Sequence, residues 1–358
     1  MERRHFYAAL SQVAGVRHAS IAHLNIPSGG MYAASDFAGA GLNLRVAQSA
    51  AKALREFDAV RWEQSLHLAN CRALAIGDPL YPSALLDMYA PPLLLYYRGS
   101  IGSHPRVAVV GTRKATFYGR QVVETFVPLL VSAEHSIVSG LALGIDTYAH
   151  QVTLNLGGHT IAVLGSGLDS IYPRANKWLA ERIVDSGGAL CSEYAPGSPP
   201  LRHHFPARNR LISGLAKACV VVEGDFTSGA LITATHALEQ GREVLAVPGS
   251  IFSPQSRGTN YLISQGAVPL TDPAILLATL GINSIDTIVT DNTKRSPDAN
   301  LVLSTLGASA LTADDLVVAL GRTISFVLAT LSELEIAGVI SRLPTGQYIC
   351  HNPRVSRK

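Results

Sequence analysis

The middle of this chain is predicted to be an α/β domain with a doubly wound parallel sheet. Between about residues 105 and 280, apolar runs of strand length recur, among them RVAVVGT, TIAVLGSG and ACVVVEG. Stretches of helical length, such as TFYGRQVVETFVPLLVSA and SGALITATHALEQG, alternate with these runs. Continuous apolar strands that alternate with helices indicate a parallel sheet that is covered by helices on both faces.

Smaller regions flank this core on both sides. The Ala-rich stretch LRVAQSAAKALREF has helical spacing, which predicts an N-terminal helical domain of the SAM or helix-hairpin-helix type. Near the C-terminus, three helical patterns precede a hairpin signal at residues 344–346, which is the order of a winged helix. The predicted parts are a helical domain (1–75), the α/β core (76–280), a linker (281–298), a winged helix (299–352) and a basic tail (353–358).

The composition excludes several classes of protein. The 358 residues carry a net charge of only +3, so a role with nucleic acid must come from local basic patches. The four cysteines are scattered and form no CxxC pair, which argues against a zinc site or a disulfide framework. No secretory signal and no apolar run of membrane-spanning length is present. We therefore expect a soluble cytoplasmic protein without a metal, another cofactor or a membrane contact.

Small residues follow the predicted strands and suggest a ligand-binding edge. In an open parallel sheet, ligands bind outside the carboxyl ends of the strands, and glycine allows close approach to the backbone. Glycines in tight turns are the alternative explanation, but five such strand ends together favour phosphate contacts. The predicted contact residues are Gly111, Thr112, Gly140, Gly165, Ser166 and Gly167, with Ser228 and Gly229 at the following helix start.

Basic and aromatic residues lie beside these strand ends. Two long windows, residues 88–123 and 194–222, contain no acid but several arginines and lysines. Attraction between phosphates and such residues gives nucleic-acid binding that is sensitive to salt and independent of base sequence. Aromatic rings add surfaces on which unpaired bases stack. The basic candidates are Arg113, Lys114, Arg174, Lys177, Arg208 and Arg210, and the aromatic ones are Phe117, Tyr118, Tyr172 and Phe205.

Catalytic candidates are weak. The stretch GSGLDS lacks the third glycine of a dinucleotide fingerprint, and neither GxxxxGK[ST] nor GxSxG occurs. Asp146 and His150 are four residues apart on a predicted helix and form either an acid–base pair or separate packing and capping groups. Glu223 and Asp225 follow a strand, and the role of Glu223 stays unassigned. A phosphate site that has no carboxylate placed for catalysis is suited to binding a nucleic-acid chain without cleaving it. The sequence therefore predicts a protein that is not an enzyme.

Several motifs resemble one known family. VAVVGTRKATFYGR, IVSGLALGIDTYAH, FPARNRLISGL and SGALITATHALEQGREVLAVPGS are similar to the bacterial DNA-processing protein DprA (Smf) family. The resemblance implies an extended Rossmann-like domain that binds single-stranded DNA. It also implies protection of incoming DNA in natural transformation, loading of RecA onto that DNA, and a homodimer formed through the Rossmann-like domain.

The resemblance also implies particular DNA contacts. Arg113 would bind phosphates with help from Lys114, and Ser228 and Gly229 would contribute hydroxyl or backbone contacts. The motifs YPRANK and FPARNR would supply Arg174, Lys177, Phe205, Arg208, Asn209 and Arg210. The sequence departs from the family at Leu143, where many relatives carry arginine, and at Gly15, which lacks the second glycine of a helix-hairpin-helix.

Two other functions remain open. One is a nucleotide hydrolase, because nucleotide phosphoribohydrolases have a motif similar to PGGxGTxxE at the equivalent turn, with the glutamate as the catalytic acid. This chain has GDFTSGALITA there, with no acid at the position of that glutamate. A winged-helix regulator of duplex DNA would need basic residues around its recognition helix. Residues 301–340 instead contain four acids and only one base, Arg322. We expect the winged helix to contact protein or to regulate the core.

Overall fold

The computed structural model describes residues 2–22, 24, 32–282, 296–306, 310–336, 339–343 and 345–350. The chain divides into two compact units, Met1–Ile288 and Val289–Lys358. Most of the predicted linker, residues 283–295, and all of the predicted basic tail lie outside the described residues.

The larger unit is built on a nine-stranded sheet in the order β1-β2-β6-β5-β4-β3-β7-β8-β9. Strands β3 to β9 are parallel to their neighbours, and β1 and β2 add an antiparallel edge beside β6. Its strands are β1 (Arg72–Ala75), β2 (Leu94–Gly99), β3 (Arg106–Val110), β4 (Ser136–Ser139), β5 (Thr160–Leu164), β6 (Ala189–Ser192), β7 (Ala218–Val221), β8 (Glu243–Ala246) and β9 (Val268–Pro269).

Alternate side chains of the strands build two apolar layers, one on each face of the sheet. In β3, Val107 and Val109 join the layer under α6, α7 and α12, whereas Ala108 and Val110 join the layer under α8 to α11. The predicted doubly wound α/β sheet is therefore confirmed. These helices are α6 (Phe117–Ser132), α7 (Ile145–Asn155), α8 (Lys177–Asp185), α9 (His204–Gly214), α10 (Gly229–Glu239), α11 (Pro254–Ser264) and α12 (Pro273–Thr279).

The path of the chain creates a switch point between β3 and β7. From β3 the chain winds outward through β4, β5 and β6, and then returns to place β7 on the other side of β3. Consecutive connections leave these two neighbours in opposite directions, so a crevice opens outside their carboxyl ends. Such crevices are the usual ligand sites of open α/β sheets.

Five helices precede the sheet in the part of the chain that the structure describes. Asn43 and Asp58 cap two of them by accepting hydrogen bonds from the backbone N–H groups of Val46 and Arg61. Their apolar residues join the layer that covers one face of the sheet. Strand β1 lies inside the region predicted as a helical domain (1–75) but pairs with β2 in the sheet. The helices are α1 (Arg3–Ser11), α2 (His18–Ile21), α3 (Ala34–Gly39), α4 (Leu44–Glu56) and α5 (Ala59–Leu68).

The smaller unit has the predicted order of a winged helix. Its elements are α13 (Pro297–Leu306), α14 (Ala313–Leu320), α15 (Ile324–Ile336), β10 (Ile340–Arg342) and β11 (Tyr348–Cys350). The two strands pair as an antiparallel hairpin, and Thr312 and Asp315 form a capping box at the start of α14. Within the described residues no single helix is long and apolar enough to cross a membrane; α14 and α15 reach that length only together, across a 118° bend.

Candidate functional site

A cleft of about 740 Å³ lies at the switch point. Its walls come from the β3–α6 loop, from α9 and from the start of α10, so three separate motifs of the sequence meet there. Ten of the predicted contact residues line it or the small pocket that continues from it. The predicted residues in the main cleft are Gly111, Thr112, Arg113, Lys114, Phe205, Arg208, Asn209, Ser228 and Gly229, and Gly140 joins Arg113 and Arg208 in the adjoining pocket.

Three exposed basic side chains face this cleft. Arg113 and Lys114 directly follow β3, and Arg202 precedes α9. Among the described residues, none of the three has an acid within ion-pair distance. Asp225 is the partly exposed acid in the lining, and its Oδ1 accepts the backbone N–H of Phe226 at 2.8 Å. The cleft therefore carries an excess of positive charge.

The first turn of α10 adds backbone donors to the same cleft. Ser228 caps this helix by accepting the N–H of Ala230 at 3.3 Å. Asn209 donates from Nδ2 to the carbonyl of Gly229 at 3.0 Å and so fixes α9 against the helix start. A side chain at Gly229 would meet only Asn209, at 3.7 Å, which leaves its backbone accessible. An eleven-residue helix whose N-terminus opens into a basic cleft favours an anion.

Aromatic faces lie beside the basic groups. The ring of Phe205 lies 5.4 Å from that of Tyr172, which is itself partly exposed. The guanidinium carbons of Arg113 and Arg208 each lie 5.9 Å from the Phe205 ring centre. Phe117 and Tyr118, by contrast, do not line the cleft, and the Tyr118 hydroxyl donates to the carbonyl of Pro248 at 2.7 Å. Cations and two neighbouring rings make a surface suited to phosphates and bases together.

Arg208 is buried and serves the architecture of the cleft. Its guanidinium donates to the carbonyl of Gly140 at 2.9 Å, to the carbonyl of Val163 and to Asn209 Oδ1. Burial lowers the pKa of Arg208 to about 10, although the nearby Asp146 charge opposes this shift. The residue thus ties the ends of β4 and β5 to α9 and presents only its remaining surface to the cleft. A Cβ at Gly140 would lie 2.9 Å from this guanidinium, so this glycine is required for packing.

Asp146 and His150 do not form an acid–base pair. The Asp146 carboxylate accepts the N–H groups of Gly140 at 3.0 Å and Ala142 at 3.3 Å, which orders the loop after β4. Burial raises the pKa of Asp146, and the Arg208 charge opposes this shift. His150 instead bonds Thr160 through Nδ1 at 2.7 Å. Both side chains have structural partners, as the second of the two sequence hypotheses expected.

Glu223, whose role the sequence left open, caps the helix after β3. Its carboxylate is buried and accepts the backbone N–H of Thr116 at 3.0 Å, and it also accepts the Thr116 hydroxyl. The backbone of Gly119 passes so close that any side chain there would collide with this carboxylate. Glu223 therefore accepts hydrogen bonds at the start of α6, and its side chain is not part of the cleft lining. The described residues contain no group of three His, Cys, Asp or Glu side chains arranged for a metal ion.

Six predicted contact residues lie outside both cavities. The stretch from Gly165 to Gly167 is covered by the segment before α9, because His204 bonds the carbonyl of Gly165 at 3.2 Å and Ser198 accepts the N–H of Gly167 at 2.9 Å. Ser166 is buried within it. Arg174 and Lys177 are exposed on the segment that follows Tyr172, and neither lines the cleft or the adjoining pocket.

Arg210 is the clearest correction to the predicted site. Its guanidinium forms an ion pair with Glu193, with one contact of 2.6 Å, and donates to the carbonyl of Ala90 at 2.7 Å. Residues two apart on a helix point in different directions, so Arg208 and Arg210 of α9 cannot both face the cleft. The expectation that FPARNR supplies both arginines to the DNA therefore does not fit its position on a helix. The side chain is occupied on the opposite side of α9.

Some lining residues were absent from the predicted site. Arg202 is one of them, and its signal in the sequence is its place in the acid-free window of residues 194–222. Ala142, Ile232 and Thr233 gave no signal because their chemistry is ordinary and only the fold brings them to the cleft. Their contribution is shape, which local sequence does not encode.

Two family models match the chain. The model described as DNA recombination-mediator protein A covers residues 72–281, and the DprA winged helix domain covers residues 284–346. Protein Smf of Escherichia coli (strain K12) is 38% identical over 306 residues, which is 81% of this chain and 82% of that protein. DNA processing protein DprA of Streptococcus pneumoniae is 47% identical over 208 residues, or 58% of this chain and 73% of that protein.

Solved structures agree with the fold. The X-ray structure of DprA from Streptococcus pneumoniae has a TM-score of 0.66 and 36% identity, covering 78% of this chain and 98% of that one. DNA processing protein A from Helicobacter pylori, described for its single-stranded DNA binding mode, has a TM-score of 0.53 and 29% identity, covering 59% and 97%. With the family model across the sheet and a relative aligned over most of its length, this chain belongs to the DNA recombination-mediator protein A (DprA, Smf) family.

Proposed function

We propose that this protein binds single-stranded DNA in the switch-point cleft. The observation that carries the proposal is the convergence of Arg113, Lys114 and Arg202, without acidic partners among the described residues, on the open N-terminus of α10. Phosphates would lie along these groups and on the backbone N–H groups near Gly229. The Helicobacter pylori relative, which is described for its single-stranded DNA binding mode, supports the same ligand for this chain.

A single strand suits the cleft better than a duplex. Phe205 and Tyr172 lie 5.4 Å apart beside the cations, and a base can stack on such rings only when it is unpaired and turned outward. The cations belong to a concave cleft, whereas the winged-helix unit has an acidic surface segment. We expect binding with little sequence preference, since contacts to phosphates and stacking on aromatic rings carry little sequence information.

We propose further that the protein holds DNA without cleaving it. Glu223 is occupied as a helix cap and Asp146 orders a loop, so neither carboxylate is free for proton transfer. Asp225 is the one partly exposed carboxylate among the described residues of the lining, and it is the observation that keeps a nucleotide hydrolase as the alternative. Incubation of the purified protein with nucleoside monophosphates tests this: released base would favour the hydrolase.

The cellular role follows from the family and is likewise proposed. A non-catalytic single-strand binder in the recombination-mediator family fits protection of incoming DNA and loading of RecA during natural transformation, in the cytoplasm. A homodimer through the Rossmann-like unit is supported by exposed apolar rings: Phe226 and Tyr261 contact each other with centres 5.7 Å apart while both remain about half exposed. Sedimentation of the purified protein measures the dimer.

A salt titration tests the binding proposal. Fluorescence anisotropy with single-stranded and duplex oligonucleotides of the same sequence would be recorded at several salt concentrations. We expect tighter binding of the single strand and a linear loss of log affinity with log salt, with a slope of about −0.7 for each phosphate contacted. Equal or tighter binding of the duplex would refute the proposal.

A further inference from the structure

A second basic groove lies at the amino edge of the same sheet, outside the starts of β3 and β7. Its volume is about 620 Å³. The cleft and this groove therefore lie at the two opposite ends of the same pair of strands. The charged and polar residues that line the groove are Ser83, Asp87, Ser103, His104, Arg106, Lys217 and Arg242.

The groove has more cations than acids to pair with them. Arg242 bonds Asp87 at 3.0 Å and the carbonyl of Ala84 at 2.9 Å, which accounts for the acid in the lining. Lys217 is exposed and has no ion pair with any described residue. Its backbone N–H donates to the carbonyl of Arg106 at 2.9 Å, so the two cationic residues are neighbours.

Arg106 is a partly buried cation without an acidic partner among the described residues. Its Nη2 donates to the carbonyl of Gly102 at 2.7 Å, while its Nε is buried and has no hydrogen-bond acceptor in the described structure. Burial lowers the pKa of this guanidinium, with no carboxylate to oppose the shift. The Nε of Arg242 is unpartnered in the same way. An anion in the groove would supply the missing counter-charge.

We propose that this amino-edge groove is a second phosphate-binding site, which contacts the same DNA strand after it leaves the switch-point cleft. The inference rests on the proposed single-strand binding. Its cations come from three chain segments, at 104–106, 217 and 242, and such a spread fits a row of phosphates better than one small anion. Strand β3 is about 17 Å long, at roughly 3.3 Å per residue, and apolar layers cover both faces of the sheet around it. A DNA strand that contacts both sites must therefore pass around this core, which a short oligonucleotide held in the cleft does not do.

Two linked sites on one strand raise affinity through effective concentration. The test compares a short oligonucleotide of about 6 nucleotides with one of about 30 nucleotides, because a single binding module covers roughly 4–16. The variants are Lys217→Glu, which reverses an exposed charge, and Ser103→Glu, which adds an acid to the exposed lining. Arg45→Glu is the matched control, because Arg45 is an exposed arginine on α4 and lines neither cavity.

We expect both groove variants to weaken binding of the long oligonucleotide about five- to tenfold and to reduce its salt dependence, while binding of the short one stays unchanged. Arg45→Glu should leave both affinities unchanged. Equal losses for both lengths, or no loss for the long one, would overturn the inference. If the variants instead impair binding of inorganic pyrophosphate but not of the long oligonucleotide, the groove binds a small phosphate and the inference is also overturned. If the unaltered protein binds neither oligonucleotide, it is the proposed function that fails.

Discussion

The carboxylate of Glu223 accepts the backbone N–H of Thr116 at 3.0 Å, which joins the end of β7 to the first turn of α6 across 107 residues of sequence. This bond lies directly behind the loop that carries Arg113 and Lys114. A buried acid at the switch point therefore fixes the direction of a basic loop, and it does so without presenting negative charge to the cleft. The arrangement separates the structural acid from the binding surface.

Glu223→Gln should lower the stability of the fold and leave DNA contacts intact. The amide keeps one acceptor but loses the charge that favours the helix start, so we expect a loss of about 1–2 kcal/mol in the free energy of unfolding. Urea denaturation followed by circular dichroism measures it. Single-strand affinity below the unfolding transition should change less than about twofold. A variant of normal stability that no longer binds DNA would show that Glu223 belongs to the cleft.

Asp225→Asn should preserve the stability of the fold and change the affinity for DNA. Asparagine keeps an oxygen that can accept the N–H of Phe226, so stability should be preserved. Removal of the negative charge from the cleft should tighten single-strand binding by about two- to fivefold at low salt, and the gain should shrink as salt rises. Anisotropy at two salt concentrations measures the change. Weaker binding would show that this carboxylate makes a favourable contact with the DNA.

The fold was predictable because its signal is local and repeated. Apolar runs alternating with helical stretches specify a parallel sheet, and Ser228 was predictable as a cap because it directly precedes its helix. The position of β7 beside β3 is not a local property, because it depends on a crossover from β6 past three intervening strands. The sequence therefore indicated a ligand edge without indicating which strand ends would form the cleft.

Errors in the predicted site came from side-chain direction. The segment FPARNR lies on α9, where Arg208 turns inward to strand-end carbonyls and Arg210 turns away to Glu193. Strand-end glycines were expected to expose backbone to a ligand, yet the space beside Gly140 is taken by Asp146 and Arg208. Gly229 does keep the expected open backbone. Tertiary packing determines whether each of these groups faces the cleft, and the residues adjacent in sequence do not determine it.

The two arginines Arg113 and Arg210 should respond differently to truncation. Arg113→Ala removes an exposed cation from the cleft, so we expect about tenfold weaker single-strand binding and a salt slope smaller by about 0.7. Arg210→Ala breaks a partly buried ion pair with Glu193 and should mainly lower the free energy of unfolding. Anisotropy and urea denaturation on both variants separate the effects. Equal losses of affinity in two stable variants would restore Arg210 to the binding site.

Residues 174–178, which we call the rim, follow the lining residue Tyr172 in the chain and can be tested with their own fluorophore. Trp178 is 51% exposed next to Lys177, whereas the other tryptophan, Trp62, is only 6% exposed in the apolar core. If the strand crosses the rim, a base near Trp178 should quench its emission as DNA is added, and Trp178→Phe should abolish the change. Lys177→Gln should lower the affinity for single-stranded DNA, so that a higher DNA concentration is needed to quench Trp178. Unaltered emission at saturating DNA, with binding verified by anisotropy, would exclude this rim.

His150 fixes its tautomer through Thr160. The Thr160 hydroxyl donates to the carbonyl of Ile137 at 2.8 Å, so it can only accept from His150, whose Nδ1 carries the proton. The other ring nitrogen is buried and has no partner among the described residues. Burial and, to a lesser extent, the charge of Arg208 lower the pKa of His150 to about 3, because both disfavour the protonated ring.

Acid should therefore destabilise the larger unit partly through His150. The folded-state pKa lies below the unfolded value of 6.5, so the stability of the neutral form is complete above pH 6.5 and declines toward pH 3. This one group contributes up to about 1.4 kcal/mol of loss per pH unit. His150→Asn retains a donor for Thr160 and removes the titration, so unfolding free energies between pH 6.5 and 4.5 should fall less steeply. The exposed His67→Asn is the control, and its slope should match that of the unaltered protein; an unchanged slope in His150→Asn would contradict the assignment.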